Sequence, residues 1–375
     1  MRPNFDRPYA ITMWDFSWLE RRWAGAGYED WDVALSELAD RGYDAVRIDA
    51  YPHLVSAGPQ REWELVPAWN QTSWGAQSLI RVTVLPALLD FIRTAKRHGI
   101  GVALSTWYRE DRDNTRMNIH TVEDQARIWI DTLRHIADAN LMDALIYVDL
   151  CNEFPIWSPY LYDSDNEPVL SRVEPRLVNW MRDSIEIVRA EYPDLDYTYS
   201  FSSEYSNWQD QDVSTFDVLE PHVWMANSET SDFHARVGYG FERFDPIGFD
   251  NLVVNARHEY EGDKERYDAA LFDEIDKVEA WSRATHKGLY TTECWALVDY
   301  KDWPGLDWDW IMDLTALGLE RAAGTGRWVG LATSNFCGPQ FVGMWREIDW
   351  HRRLTKLIKE SPIDADIREA HRKRI

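Results

Sequence analysis

Two runs of the sequence end an apolar stretch in a glutamate. Val148-Asp149-Leu150-Cys151-Asn152-Glu153-Phe154-Pro155 stops at Asn-Glu and is broken by proline, and Gly288-Leu289-Tyr290-Thr291-Thr292-Glu293-Cys294-Trp295 stops at a glutamate and turns into tryptophan. A carboxylic acid at a strand end, beside an amide and under an aromatic ring, is placed where a raised pKa makes it a proton donor. A second carboxyl group about 5–5.5 Å away attacks the anomeric carbon while the first releases the leaving group, which is glycoside cleavage with retained configuration. Glu153 is therefore the candidate general acid/base and Glu293 the candidate nucleophile. A lone glutamate at a strand end is ordinarily a solvated or salt-bridged group, so it is the pair, one member preceded by Asn152, that carries the chemistry.

Such a pair needs a scaffold that brings distant strand ends together. Short apolar, β-branched or aromatic runs alternate with longer stretches of helical period, the signature of repeated βα units on a parallel sheet. Strands are expected near residues 9–14, 45–49, 101–106, 145–150, 197–201, 216–222, 289–293 and 328–333, and eight is the number that closes a (β/α)8 barrel. The segments between them carry apolar stripes, as in Trp31, Leu35 and Leu38, or Leu85, Leu88, Leu89 and Ile92, or Ile128, Leu133 and Ile136. Helix-to-strand joints are short and glycine-marked, at Gly42, Gly99, Gly288 and Gly326, whereas the strand-to-helix loops are long. Barrel enzymes build their sites from those long loops. The chain reads as one catalytic domain over 1–375, with a loop insertion at 225–267 that serves as a lid or an interface.

The aromatic residues gather on that loop face. Trp18, Trp23 and Tyr28 follow the first strand, Tyr51, Trp63, Trp69 and Trp74 the second, Trp107 and Tyr108 the third, Trp157, Tyr160 and Tyr162 the fourth, Trp224 the sixth, and Trp295, Trp303, Trp308 and Trp310 the seventh. Flat rings on one face suit stacking on pyranose rings; the plainer alternative is that long loops need aromatic mini-cores of their own.

Composition narrows the partner. A formal charge of −24 repels polyphosphates, so nucleic acid and anionic membrane are not expected partners, and a small neutral carbohydrate is. Cys151, Cys294 and Cys337 form no metal-ligand or disulfide spacing, no cofactor motif stands out, and no metal is expected; the Asn70-Gln71-Thr72 triplet reads as chance. The first residues lack the apolar core of a secretory signal and no run approaches a membrane span, which points to a cytoplasmic protein. Oligomeric state is left open, a homo-oligomer included.

Asn-Glu at the end of the fourth strand with Glu at the end of the seventh resembles the clan A glycoside hydrolases, the cellulase-like superfamily that includes family 5. The resemblance runs from about Tyr9 to the helix after Asn335. It implies that Arg47, within Val46-Arg47-Ile48-Asp49, lies beside the nucleophile and keeps Glu293 ionised, that His222 and Trp224 form the clan's His-x-aromatic pair at nucleophile and sugar, and that Asn152 bonds the sugar 2-OH. Trp107 and Trp295 are further candidates for contact with substrate. Two positions depart from the pattern. Ser105-Thr106-Trp107-Tyr108 lacks the usual histidine, and Ala332-Thr333-Ser334-Asn335-Phe336 lacks the sugar-platform tryptophan. An inverting or transglycosylating enzyme on the same barrel, or a silent sugar-binding barrel, are the competing readings. Asp15, Asp49 and Glu220 also fall near strand ends and compete for the assigned roles.

Overall fold

The alternation of β-rich runs and amphipathic stretches becomes a parallel barrel wrapped in helices in the computed structural model, which describes residues 5–67, 76, 78–162, 171–202, 204–240, 246–298 and 300–373. Among the described residues seven strands form one parallel sheet: Tyr9–Thr12, Ala45–Asp49, Gly101–Ser105, Leu145–Asp149, Asp196–Thr198, Leu289–Thr291 and Trp328–Leu331. The first strand sits between the second and the last, and the order round the sheet then runs second, third, fourth, fifth on one side and back to Leu289–Thr291 on the other.

The expected sixth strand is the exception. Residues 216–222 form no continuous ladder, yet they lie in the gap: Asp217 N–H donates to Tyr197 O, Leu219 N–H to Gly288 O, Tyr290 N–H to Leu219 O and His222 N–H to Phe201 O. Single bridges at Phe201–Pro221 and Leu219–Leu289 replace the ladder, so the segment closes the eight-stranded barrel by isolated hydrogen bonds. Just beyond it, Val223–Trp224 pairs with Cys294–Trp295 in a separate parallel ribbon.

Alternation along the strands decides what enters the barrel. Ile11, Ala45, Ala103, Tyr147, Val218, Tyr290 and Val329 belong to one buried cluster. Residues two and four places on keep the same facing, which carries Arg47 and Asp49, Ser105, Asp149, Glu220 and His222 upward to the mouth. Room inside is tight: a Cβ on Gly330 would stand 2.2 Å from the Tyr290 ring.

Helices Trp31–Asp40, Val84–Arg97, Val122–Asp138, Pro175–Glu191, Lys264–Thr285, Asp309–Ala323 and Ile348–Glu360 surround the sheet. Asp30 caps the first by accepting from the N–H groups of Asp32 and Val33, and Thr121 with Asp124 forms a capping box on Val122–Asp138. Each turns its apolar stripe inward, as Leu85, Leu88, Phe91 and Ile92 do; a fully buried side chain of this size contributes roughly 1.5–3 kcal/mol. Residues 225–267 hold the short helices Phe233–Val237, Pro246–Asn251 and Arg257–Gly262 around a π-helical turn, Leu252–Ala256. No helix among the described residues is long and apolar enough to cross a membrane.

The tryptophans follow the plainer expectation for the most part. Trp18, Trp63 and Trp295 are buried fillers, and Trp308 packs with Tyr300, Phe336 and Phe341 into a mini-core of the late loops. Trp69, Trp74 and the Asn70-Gln71-Thr72 triplet lie outside the described residues. The three cysteines are buried thiols.

Candidate active site

Arg47, fully buried in the second strand, organises the mouth. Its Nε and Nη2 donate to the two oxygens of Asp15 at 3.0 and 2.9 Å, Nη1 to Glu220 Oε1 at 2.8 Å, and Nη2 to Asn152 Oδ1 at 2.8 Å and Glu293 Oε1 at 2.7 Å. The planar fork of an arginine, with five donors in fixed directions, meets this demand where a lysine could not. Its partners are thus neither Asp49 nor Asp149. Those two are clamps: Asp49 accepts from the N–H groups of Tyr51 and Trp107, and Asp149 from Ser105 Oγ and from the N–H and hydroxyl of Ser200. Burial raises both, Asp49 to about 7 and Asp149 to about 6.

Glu153 reaches the mouth through a turn. Its backbone adopts a left-handed φ of 43°, its N–H donates to Ser200 Oγ, and the buried Arg172 ties the following Phe154 carbonyl to that of Ser200. A left-handed non-glycine residue costs about 1–2 kcal/mol, which these bonds offset. The carboxyl group then faces inward: Glu153 Oε1 is 2.9 Å from His222 Nδ1, and Trp157 Nε1 donates to Oε2 at 3.3 Å. Glu293 lies opposite, with its Oε1 3.7 Å from the same His222 Nδ1. One ligating atom each of Glu153, His222 and Glu293 falls within 4.8 Å of the others.

This spacing fixes the electrostatics. Glu293 is pushed up to about 8, first by burial and then by the nearby Glu153 and Asp15 carboxylates, against the pull of His222 and Arg47. The resemblance implied that the charge of Arg47 keeps Glu293 ionised; Arg47 does pull Glu293 that way, and burial outweighs the pull. One guanidinium is shared by Asp15, Glu220 and Glu293, too little to offset the burial of Glu293. Burial favours a neutral His222, and the carboxylates of Glu293 and Glu153 outweigh it and raise its pKa. Above that pKa, Arg47 Nη1 at 3.2 Å can only donate to His222 Nε2, which leaves the ring proton on Nδ1, facing Glu153. The three ligating atoms could hold a cation in principle, but Glu293 Oε1 already takes the guanidinium, which occupies the electrostatic place of a metal.

A consequence for stability follows from Glu293. Its pKa is 4.5 in an unfolded chain and about 8 in the fold, so the folded state binds the proton more tightly and loses stability as pH rises across that window. Glu293→Gln has no proton to lose. Its thermal midpoint should therefore gain on wild type between pH 5 and 8 and stay ahead above, by about 3–6 °C. A midpoint difference that does not change with pH would show that Glu293 is not the group holding the proton.

Beside the pair lies a cavity lined by Phe16, Pro67, Trp107, Arg109, Glu110, Arg116 and Trp157. Trp107 and Trp157 rings stand 4.8 Å apart, and Trp107 Nε1 donates to Asp15 Oδ2. Arg109 is neutralised by Glu20 and Arg116 by Glu110, so both cations of the lining among the described residues are paired.

A family model described as sugar-binding cellulase-like matches residues 11–359. The chain belongs to this cellulase-like family of glycoside hydrolases. A protein from Parabacteroides distasonis ATCC 8503, provisionally assigned as a glycoside hydrolase, is 45% identical over 98% of this chain and 100% of its own, with a TM-score of 0.94. More distant structures share the fold: a GH5_18 from Bifidobacterium longum subsp. infantis, at 13% identity over 96% of this chain and 80% of its own, has a TM-score of 0.55. An endocellulase from Pyrococcus horikoshii solved with cellotetraose, at 14% identity over 93% and 92%, has a TM-score of 0.51. No protein in the curated comparison matches the chain.

In this cellulase-like glycosidase, the mouth brings together Glu153, Glu293, Arg47, Asn152 and His222. Trp107 stands beside them through Asp15, and Trp224 lies against His222, ring to ring at 5.7 Å, with its indole N–H buried and unpartnered. Trp295 is not among them. Its indole donates to Ala332 O, and its base meets Gly318 of the outer helix Asp309–Ala323, where any Cβ would clash at 2.9 Å; it is a wedge between barrel and helix, not a sugar platform. Phe16, Arg109, Glu110, Arg116 and Trp157 were not singled out as site residues. The one available signal was for Trp157, which follows Glu153 by four residues in a turn forced by Pro155.

Proposed function

We propose that this chain is a retaining, exo-acting glycosidase that takes single sugars from short oligosaccharides or small glycosides, working in the cytoplasm by double displacement. The observation that carries the reading is the approach of Glu153 and Glu293 oxygens within 4.8 Å, near the carboxyl separation of retaining enzymes and short of the roughly 6.5–9.5 Å that an inverting enzyme keeps for its water. Glu293 attacks the anomeric carbon as Glu153 delivers a proton to the departing oxygen; Glu153 then takes a proton from the water that releases the sugar. Asn152 Nδ2 is buried without a partner while its Oδ1 is held by Arg47, so this N–H is free for a sugar hydroxyl. The cavity walled by Trp107 and Trp157 is a subsite for an uncharged ring. The substrate is a carbohydrate; which sugar and linkage it carries is the question for experiment.

The test is a panel of aryl glycosides and short oligosaccharides, offered to wild type beside Glu153→Gln, with the anomer of the first product followed by proton NMR. Retained configuration and single-sugar release are expected. An inverted first product would remove the double displacement, and mixed oligosaccharide products with rapid loss of polymer viscosity would remove the exo-action.

A further inference from the structure

We propose that Arg109 and Glu110 are specificity-determining residues: the unused Nη1 of Arg109 and the unused Oε1 of Glu110 read two neighbouring hydroxyls of the one sugar ring that the aromatic cavity seats. The proposal rests on the glycosidase reading and names how its substrate ring is chosen. Its ground is what Arg109 leaves over. The side chain is buried, and a buried cation is costly unless paired. Glu20, itself buried, pairs it through Nε at 2.9 Å and Nη2 at 3.1 Å, and Nη2 also donates to Val66 O at 2.8 Å. A lysine could satisfy that charge as well. The guanidinium adds a third nitrogen, and Nη1 bonds to nothing among the described residues. The side chain is 8% exposed and lines the cavity, and Nη1 is not among the sealed polar atoms of the fold. Glu110 supplies the complement. Its Oε2 accepts from Arg116 Nη2 at 2.7 Å, and its Oε1 has no partner among the described residues. A hydroxyl both donates and accepts, so a donor and an acceptor on consecutive residues suit hydroxyls on neighbouring carbons.

The walls set the size and attitude of the ring. Phe16 and Trp107 stand edge to face at 5.5 Å, Trp107 and Trp157 lie 4.8 Å apart, and the Arg109 guanidinium sits 4.8 Å over the Phe16 ring. The cavity measures about 220 Å³, under the roughly 300–1,000 Å³ of sites for drug-sized ligands, so a single ring fills it. The polar end is held before a sugar arrives. His53 Nε2 donates to Arg109 O at 3.0 Å, Val66 N–H to Glu110 O, and Arg112 N–H to Glu64 O. Groups fixed in this way lose little freedom on binding. Trp157 Nε1 donates to Glu153 and Trp107 Nε1 to Asp15, so the same walls border the catalytic carboxylates. A ring of the right size is then kept or rejected by its hydroxyls.

Two variants separate recognition from folding. Arg109→Lys keeps a cation for Glu20 and removes Nη1, while Glu110→Ala removes the acceptor from a solvent-exposed ion pair whose loss changes stability little. Thermal unfolding checks both, and if Arg109→Lys does not fold, Glu110→Ala carries the test. In the first arm, the aryl glycoside that wild type cleaves best is compared with its monodeoxy derivatives. For wild type, removing either of two adjacent hydroxyls should lower kcat/KM by about 10- to 100-fold, the usual worth of a hydrogen bond to a charged group. One of those losses should shrink below about threefold in Arg109→Lys, and the other in Glu110→Ala. Losses equal in wild type and variants would overturn the proposal and leave the aromatic walls as the whole subsite. The second arm needs no turnover. Methyl glycosides of glucose, mannose, galactose and xylose are titrated against wild type and variants by tryptophan fluorescence. At least one should bind wild type about tenfold more tightly than either variant; equal affinities, or no binding by any of the four, would overturn the proposal. If no aryl glycoside is cleaved, the glycosidase reading fails, and this arm still decides what the cavity recognises.

Discussion

Replacing Glu293 by alanine should abolish turnover of natural and activated substrates alike, by on the order of 10⁵-fold in kcat. The reason is that no other group can take its place at the anomeric carbon. Asp15 and Glu220, which share Arg47 with Glu293, are both engaged by it, and Glu220 is further held by the hydroxyl of Thr292 at 2.6 Å. Better leaving groups give no relief, because the missing step is formation of the glycosyl-enzyme and not departure of the aglycone. Single-turnover measurements with a dinitrophenyl glycoside decide it. A residual rate of even a tenth of wild type would mean that another carboxylate is the nucleophile.

Glu153→Ala should behave differently. With a dinitrophenolate leaving group, the first step needs little protonation and should survive within about tenfold, whereas with an alkyl or sugar aglycone it should fall by 10²–10⁴-fold, the usual worth of a general acid. The second step loses its base, so the glycosyl-enzyme accumulates. Azide, small enough for the space left by the carboxylate and needing no base, should restore turnover and give the glycosyl azide of retained configuration. Equal losses on good and poor leaving groups would place the proton donor elsewhere. The two variants therefore separate the two roles: one loss ignores the leaving group and the other tracks it.

The features legible in the sequence were those written in local pattern. The second strand falls on Ala45–Asp49 as expected, because its run of apolar residues is cut at both ends by glycine, aspartate and tyrosine. The sixth segment carried the same kind of pattern but pairs only by single hydrogen bonds, since Pro221 has no N–H to give to a ladder. The central place of Arg47 was legible only through family resemblance. That Asp15 and Glu220 converge on it depends on how strands far apart in sequence are staggered around the barrel, which no spacing along the chain records. Trp295 shows the opposite failure. A tryptophan directly after a candidate catalytic glutamate looks like a platform, and the direction of its side chain is decided by the space that Gly318 leaves in the helix outside.

Arg47, one cation shared among three carboxylates, also bears on what the mouth favours. At the mouth the acidic groups Asp15, Glu153, Glu220 and Glu293 outnumber the guanidinium, and they are held in place before any sugar arrives. A substrate is uncharged and gains little from that field; the oxocarbenium-like species on the way to product carries positive charge on the ring and gains a great deal. The surplus of anionic groups is thus a preference for the transition state over the ground state, built into the empty barrel. It extends to ring-nitrogen analogues of sugars, which carry at rest the charge that a true substrate carries only in passing.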